Sequence, residues 1–259
     1  MVFRYPGSDG RLPRGDVRIL TNAAPNRGEV FALQARADDA SFKDDDLRAT
    51  LAPDELERAA RFHFDRDRRM YMLARGLSRI ILGHFLSIAP SAVCFEFLPH
   101  GKPVISASQN PYKLEFNYAH SNGLVLFAFS REARVGVDVE SAAREVGDRD
   151  EIAARYFASG EVERYRALPD HQKPRAFLNC WTRKEAYIKA IGDGLSMPLS
   201  KFEAAFELDQ PARLLTIHGN KEAAKQWSMW SWEPEPGYVA ALVAEGAELN
   251  IEYQGQVIL

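Results

Sequence analysis

Apolar residues recur at three- and four-residue spacing from 66 to about 86. Tyr71, Leu73, Ala74, Leu77, Ile80, Ile81 and Phe85 fall on one face, which predicts an amphipathic helix. Pro53-Asp54-Glu55-Leu56 starts an earlier helix, with proline and acids in its first turn. Residues 150–167 and 173–191 read as two more helices, the second closed by the Gly and Pro between 192 and 198. Short apolar or alternating runs predict strands at 17–20, 30–33, 93–98, 114–118, 124–130, 135–140, 202–208, 214–217, 227–232 and 238–244, the last four as a meander. Residues 1–15, rich in Gly, Pro and Arg, read as irregular. Gly101-Lys102-Pro103 and Ala119-His120-Ser121-Asn122-Gly123 read as turns, and 130–134 as the boundary between halves. No internal repeat is evident by letter.

The chain has 259 residues, enough for one large domain or two small ones. A hydrophobic share of 46% and a net charge of −3 describe a globular protein and argue against an electrostatic nucleic-acid binder. No window approaches the roughly 18 apolar residues of a membrane span, and residues 1–20 lack the apolar core of a secretory signal. Cys94 and Cys180 form no CxxC; two free, buried thiols in a reducing compartment is the preferred reading over a disulfide. A cytoplasmic location is expected.

Three places could carry chemistry. In the strand Val135-Gly136-Val137-Asp138-Val139-Glu140 the valines share one face, and Asp138 and Glu140 share the other with Gly136. Paired carboxylates suit Mg²⁺, although a wet acidic strand face reads equally well. In the helix Trp181-Thr182-Arg183-Lys184-Glu185-Ala186-Tyr187-Ile188-Lys189-Ala190, Glu185 and Lys189 share a face with Trp181 one turn earlier; alone, this is an ordinary surface pair. His120 sits in a polar turn, where either a structural or a ligand role is open. Lys102 reads most simply as a surface lysine. Asp44, Asp45 and Asp46 read as a helix start or solvated face. Arg58, Arg61, Arg66, Arg68, Arg69, Arg75 and Arg79 form either a solvated helical face or a basic lining for a phosphate-bearing ligand. Nucleotide-binding glycine loops, the GxSxG elbow and zinc patterns are absent from the sequence.

In order, Gly101-Lys102-Pro103, Phe116-Asn117-Tyr118-Ala119-His120-Ser121, Gly136-Val137-Asp138-Val139-Glu140 and the stretch from Trp181 to Leu195 resemble the 4′-phosphopantetheinyl transferases. The likeness is to the long, surfactin-synthetase-activating type rather than the short trimeric type, and it is strongest over 101–199. It implies an α/β (α+β) pseudo-dimer of two similar halves, each a mixed or antiparallel sheet packed with helices. The halves are expected at 1–132, binding coenzyme A, and 133–259, carrying the metal-site carboxylates. The implied reaction moves 4′-phosphopantetheine from coenzyme A to a serine of an apo acyl or peptidyl carrier protein, releasing adenosine 3′,5′-bisphosphate.

The resemblance also implies site roles. Asp138, Glu140 and Glu185 would hold Mg²⁺, Glu185 and Lys189 would be catalytic, and Arg58, Lys102, Pro103 and His120 would meet coenzyme A. Such a transfer needs mainly positioning and charge neutralisation, and arginine's fork suits the phosphates of coenzyme A. Ala119 stands where many relatives place a serine, so one hydroxyl contact to the nucleotide is lacking. A monomer is expected, with no nucleic-acid or membrane partner. The rival readings are a metal-dependent phosphodiesterase and a non-catalytic module that binds carrier proteins.

Overall fold

The computed structural model describes residues 23–143 and 148–257; the strand expected at 17–20 lies outside them. In the first half, strand β1 (Glu29–Arg36) leads through helices α1 (Asp44–Thr50), α2 (Pro53–Ala60) and α3 (Asp65–Leu86). A small hairpin follows, β2 (Phe95–Phe97) and β3 (Pro103–Ile105), and then the strands β4 (Leu114–Ser121) and β5 (Leu124–Arg131). The second half runs β6 (Val135–Ser141), α4 (Arg149–Tyr156), α5 (Ser159–Arg166), α6 (Lys173–Ile191), β7 (Phe202–Ala204), β8 (Leu214–Ile217), α7 (Lys221–Ala224), β9 (Trp227–Trp232) and β10 (Tyr238–Glu245). A last strand, β11 (Asn250–Gln256), closes the described chain.

The strand order exposes a repeated plan. One sheet runs β11-β1-β5-β4 and the other β6-β10-β9, so β1-β5-β4 matches β6-β10-β9. The hairpin β2-β3 likewise matches β7-β8. This is a mixed α/β fold of two similar halves. β11 pairs parallel with β1, so the last strand returns to the first sheet.

Hydrophobic alternation sets the layers. Phe31, Leu33 and Ala35 of β1 face a core with Leu73, Leu77 and Ile81 of α3. Val30 and Ala32 face the opposite way, into a core shared by both sheets that includes Val135, Val137, Val139, Leu242 and Ala244. On the far side of the second sheet, Ala241 and Val243 pack against Ala186 and Ala190 of α6. The two sheets therefore lie face to face between two helical layers, as amphipathic strands and helices require.

Several expectations change. The helix expected over 150–167 is two helices, because Ala158 is extended (φ −67°, ψ 153°) and the Glu161 side chain accepts its backbone N–H, starting α5 afresh. The strands after α6 are not a four-strand meander: β7 and β8 form their own pair, while β10 lies between β6 and β9. β4 continues to Ser121, so Ala119 and His120 are strand residues and the turn is reduced to Asn122 and Gly123. β7 stops at Ala204, and β11, too polar to register as a strand, was not foreseen. Both cysteines are free, but only Cys180 is buried; Cys94 is exposed. No described helix is long and apolar enough to cross a membrane.

Candidate active site at the seam between the halves

β4 is the edge of the first sheet and β6 the edge of the second. They run side by side in the same direction, joined by side chains rather than a backbone ladder. Asn117 Oδ1 accepts the N–H of Val137 at 2.9 Å, and Ser121 Oγ accepts that of Ser141 at 3.1 Å. Between these two links lies a cleft of about 380 Å³. β4 lines it with Tyr118, Ala119 and His120, β6 with Asp138, Val139 and Glu140, and α6 with Trp181, Glu185 and Lys189.

α6 reaches this cleft because it lies almost on the backbone of β6. A Cβ on Gly136 would collide with the carbonyl of Ala186 and the backbone of Ala190, whose Cα would be 2.9 Å away. Ala186 and Ala190 form the small-residue stripe that permits the approach. Glu185 and Lys189, each one residue earlier, form the adjacent stripe and project beside the acidic face of β6.

The electrostatics of the cleft favour added positive charge. Lys189 Nζ donates to Asp138 Oδ1 at 2.6 Å, while Asp138 Oδ2 is buried with no hydrogen-bond partner. Burial pushes the Asp138 carboxyl up to about 7 against the pull of Lys189, with Glu140 and Glu185 adding to the rise. Burial likewise raises Glu185. Burial draws Lys189 down, but Asp138, Glu185 and Glu140 outweigh it and hold the ammonium charged. Burial and the nearby Lys189 lower the pKa of His120. Among the described residues lining the cleft, Asp138, Glu140 and Glu185 stand with Lys189.

A divalent cation fits that donor set. All-oxygen ligands suit Mg²⁺, and the orphaned Asp138 Oδ2 is a buried acceptor in need of one. Among the described residues, however, no three His, Cys, Asp or Glu side chains are drawn together tightly enough to hold an ion as they stand. Lys189 is the group now nearest Asp138.

The other site residues expected from the sequence lie elsewhere. Arg58 is exposed on α2, its guanidinium 5.4 Å from the centre of the Tyr71 ring. Lys102 Nζ donates to the carbonyls of Val135 at 3.0 Å and Ala190 at 3.1 Å, and Pro103 begins β3; neither lines the cleft. The arginine cluster divides. Arg75 and Arg79 are buried against Glu55, so they belong to neither a solvated face nor a ligand lining. Arg69 donates to backbone carbonyls at Ala37 and Phe42 and pairs with Asp44. Asn117, Tyr118 and Ser121 entered the sequence reading only as members of the Phe116–Ser121 motif, with no role of their own. The signal for the first and last was two polar residues four apart on one face of an apolar strand.

The cleft brings three carboxylates and a lysine together across two copies of one α/β plan. The comparisons name the class. Residues 134–243 match the 4′-phosphopantetheinyl transferase superfamily, and residues 43–132 match the 4′-phosphopantetheinyl transferase N-terminal family. The chain is 38% identical over 218 residues to the 4′-phosphopantetheinyl transferase HetI of Nostoc sp., covering 84% of this chain and 88% of that one. It is 32% identical to the transferase psf-1 of Bacillus pumilus (72% and 78% covered) and 26% identical to Sfp of Bacillus subtilis (75% and 82%). The chain belongs to the 4′-phosphopantetheinyl transferase superfamily, on the side of its long members. Its reaction is the transfer of 4′-phosphopantetheine from coenzyme A to an apo carrier protein.

Proposed function

We propose that the cleft between β4, β6 and α6 is where this transfer takes place. Asp138, Glu140 and Glu185 would hold Mg²⁺, and Lys189 and His120 would meet phosphate. The observation that carries this reading is the buried, unpartnered Asp138 Oδ2 in a cleft lined by Asp138, Glu140, Glu185 and Lys189. When bound, Mg²⁺ neutralises pyrophosphate charge and stabilises the departing adenosine bisphosphate.

The chain's own residues supply the rest. Glu185, on the wall of the cleft, takes the proton of the carrier's serine as general base. The serine oxygen then forms its bond to the phosphorus bearing pantetheine, and the bond from that phosphorus to the bridging oxygen breaks. Lys189, held charged by its carboxylate neighbours, offsets charge growing on the phosphoryl oxygens. His120 opens into the cleft from β4 and gains a proton most readily when an anion arrives beside it.

We assign the halves to residues 1–132 and 133–259, a division supported by the repeated strand order, with β11 crossing back to the first sheet. Since one chain supplies both walls of the cleft, we read the protein as a monomer, and a cytoplasmic location suits its substrates.

The test is to incubate the protein with coenzyme A, Mg²⁺ and a panel of apo acyl and peptidyl carriers and follow intact carrier mass. The reading expects a phosphopantetheine increment that is lost with EDTA and with Glu185→Gln. Full activity in both Glu185→Gln and Asp138→Asn would overturn the assignment of the site. Free phosphopantetheine without modified carrier would point to hydrolysis.

A further inference from the structure

The link at Ser121 differs from the link at Asn117. Asn117 Oδ1 accepts one backbone N–H and so fastens β4 to β6. Ser121 Oγ accepts the N–H of Ser141 at 3.1 Å and also donates to Glu140 Oε2 at 3.1 Å. The hydroxyl has a single proton. With the Ser141 N–H aimed at its lone pair, that proton is left for Glu140. Ser121 is 6% exposed, so bulk water does not readily compete for it.

We propose that Ser121 is a positioning residue of this transferase: its hydroxyl, anchored on the backbone of β6, fixes the carboxylate of Glu140 toward Asp138 and Glu185. The proposal rests on the cation-binding reading of the cleft. Glu140 takes the Ser121 hydroxyl as one of its holds. It stands near the end of β6 and is half-buried, whereas Asp138 is buried and Glu185 projects from the middle of α6. A glutamate has three side-chain torsions to restrict, and each bond that restricts them helps present its oxygens to a cation. Ser121 belongs to the first half and Glu140 to the second. The bond therefore ties the orientation of this carboxylate to correct docking of the halves, so that a loosened seam also loosens the cation site.

Outer-shell partners of this kind alter metal affinity about 10–100-fold when removed. The test uses the full chain and Mn²⁺ as a paramagnetic stand-in for Mg²⁺, with free Mn²⁺ followed by electron paramagnetic resonance. Coenzyme A binding is measured separately by calorimetry in EDTA. Ser121→Ala is expected to weaken Mn²⁺ binding about tenfold and leave metal-free coenzyme A binding unchanged. Ser121→Thr keeps a hydroxyl and is expected to restore Mn²⁺ affinity. Wild-type Mn²⁺ affinity in Ser121→Ala overturns the proposal. So does an equal loss of Mn²⁺ and metal-free coenzyme A binding, which would mark a purely structural link. Asp138→Asn separates the two readings: if it too binds Mn²⁺ normally, the cation site itself is misplaced; if it alone loses Mn²⁺, only the role of Ser121 fails.

Discussion

Glu55 and Glu161 occupy equivalent posts in the two halves. Each accepts the backbone N–H of the alanine three residues before it, at 3.0 Å from Ala52 and 2.8 Å from Ala158. Each also meets a buried cation of the long helix that follows: Arg79 at 2.6 Å in the first half and Lys184 at 2.5 Å in the second. The cations in turn donate to a backbone carbonyl beside the small hairpin, Val93 for Arg79 and Phe202 for Lys184. A short helix, a long helix and a hairpin are thereby locked together the same way twice.

The lock in the second half holds α6, which carries Glu185 and Lys189, so its removal is expected to be costly. Glu161 and Lys184 are both fully buried. Glu161→Gln leaves the Lys184 ammonium in the interior without its counter-charge, and stability should fall by about 3–5 kcal/mol. The double variant Glu161→Gln/Lys184→Met removes the stranded charge and should recover much of that loss. Urea unfolding of the wild type, both single variants and the double variant measures the coupling. Additive effects would show that the pair is not the lock.

Gly136 tests the approach of α6 to β6. Gly136→Ala places a methyl against backbone atoms of Ala186 and Ala190, which cannot swing aside as a side chain could. The helix must move off the sheet, taking Glu185 and Lys189 away from Asp138. Stability should fall by about 1–3 kcal/mol from overpacking, and transfer activity by about 100-fold, since a displacement near 1 Å suffices for that. The informative comparison is turnover at a temperature where the variant is still fully folded by circular dichroism. Wild-type turnover there would mean that close packing does not set the site.

Much of this site was legible in the sequence because it is built on regular elements. A strand's two-residue period puts Asp138 and Glu140 on one face, and a helix's period puts Glu185 and Lys189 on another. That the two faces meet was not legible by spacing; it depends on Gly136, Ala186 and Ala190 letting backbones touch, and only the family resemblance anticipated it. The duplication was also hidden by letter. Matching Glu55 with Glu161 by their shared role sets Ala52-Pro53-Asp54-Glu55-Leu56-Glu57-Arg58 beside Ala158-Ser159-Gly160-Glu161-Val162-Glu163-Arg164, a repeat too short to notice without the geometry. Arg75 and Arg79 misled for a related reason: an arginine on a helix usually marks the wet face, but here a buried glutamate from the neighbouring helix draws both inward. The polar strand β11 gave no apolar alternation because it is a half-exposed edge.

Lys102 offers the sharpest contrast between a ligand role and a structural one. Its Nζ caps the carbonyl of Ala190 near the C-terminus of α6, where a helix leaves acceptors unsatisfied and favours positive charge, and it also takes the carbonyl of Val135. Since Lys102 belongs to the first half, it staples that half to the second. Burial lowers its pKa from 10.5 to about 8. Below pH 8 the folded and unfolded chains both carry the charge, and its burial weighs against the folded state. Between pH 8 and 10.5 the folded protein has released the proton while the unfolded chain still holds it, so the unfolded state binds more protons and this residue's contribution to stability rises with pH. The neutral amine still has two N–H groups for the two carbonyls, so the staple survives deprotonation. Lys102→Met should abolish that rise: the stability of wild type relative to the variant, measured by urea unfolding, should increase from pH 7.5 to 10. The KM for coenzyme A should be unchanged at neutral pH. A raised KM with no change in the pH profile would instead place Lys102 on the phosphates of coenzyme A and require the β2–β3 hairpin to release it when the nucleotide binds.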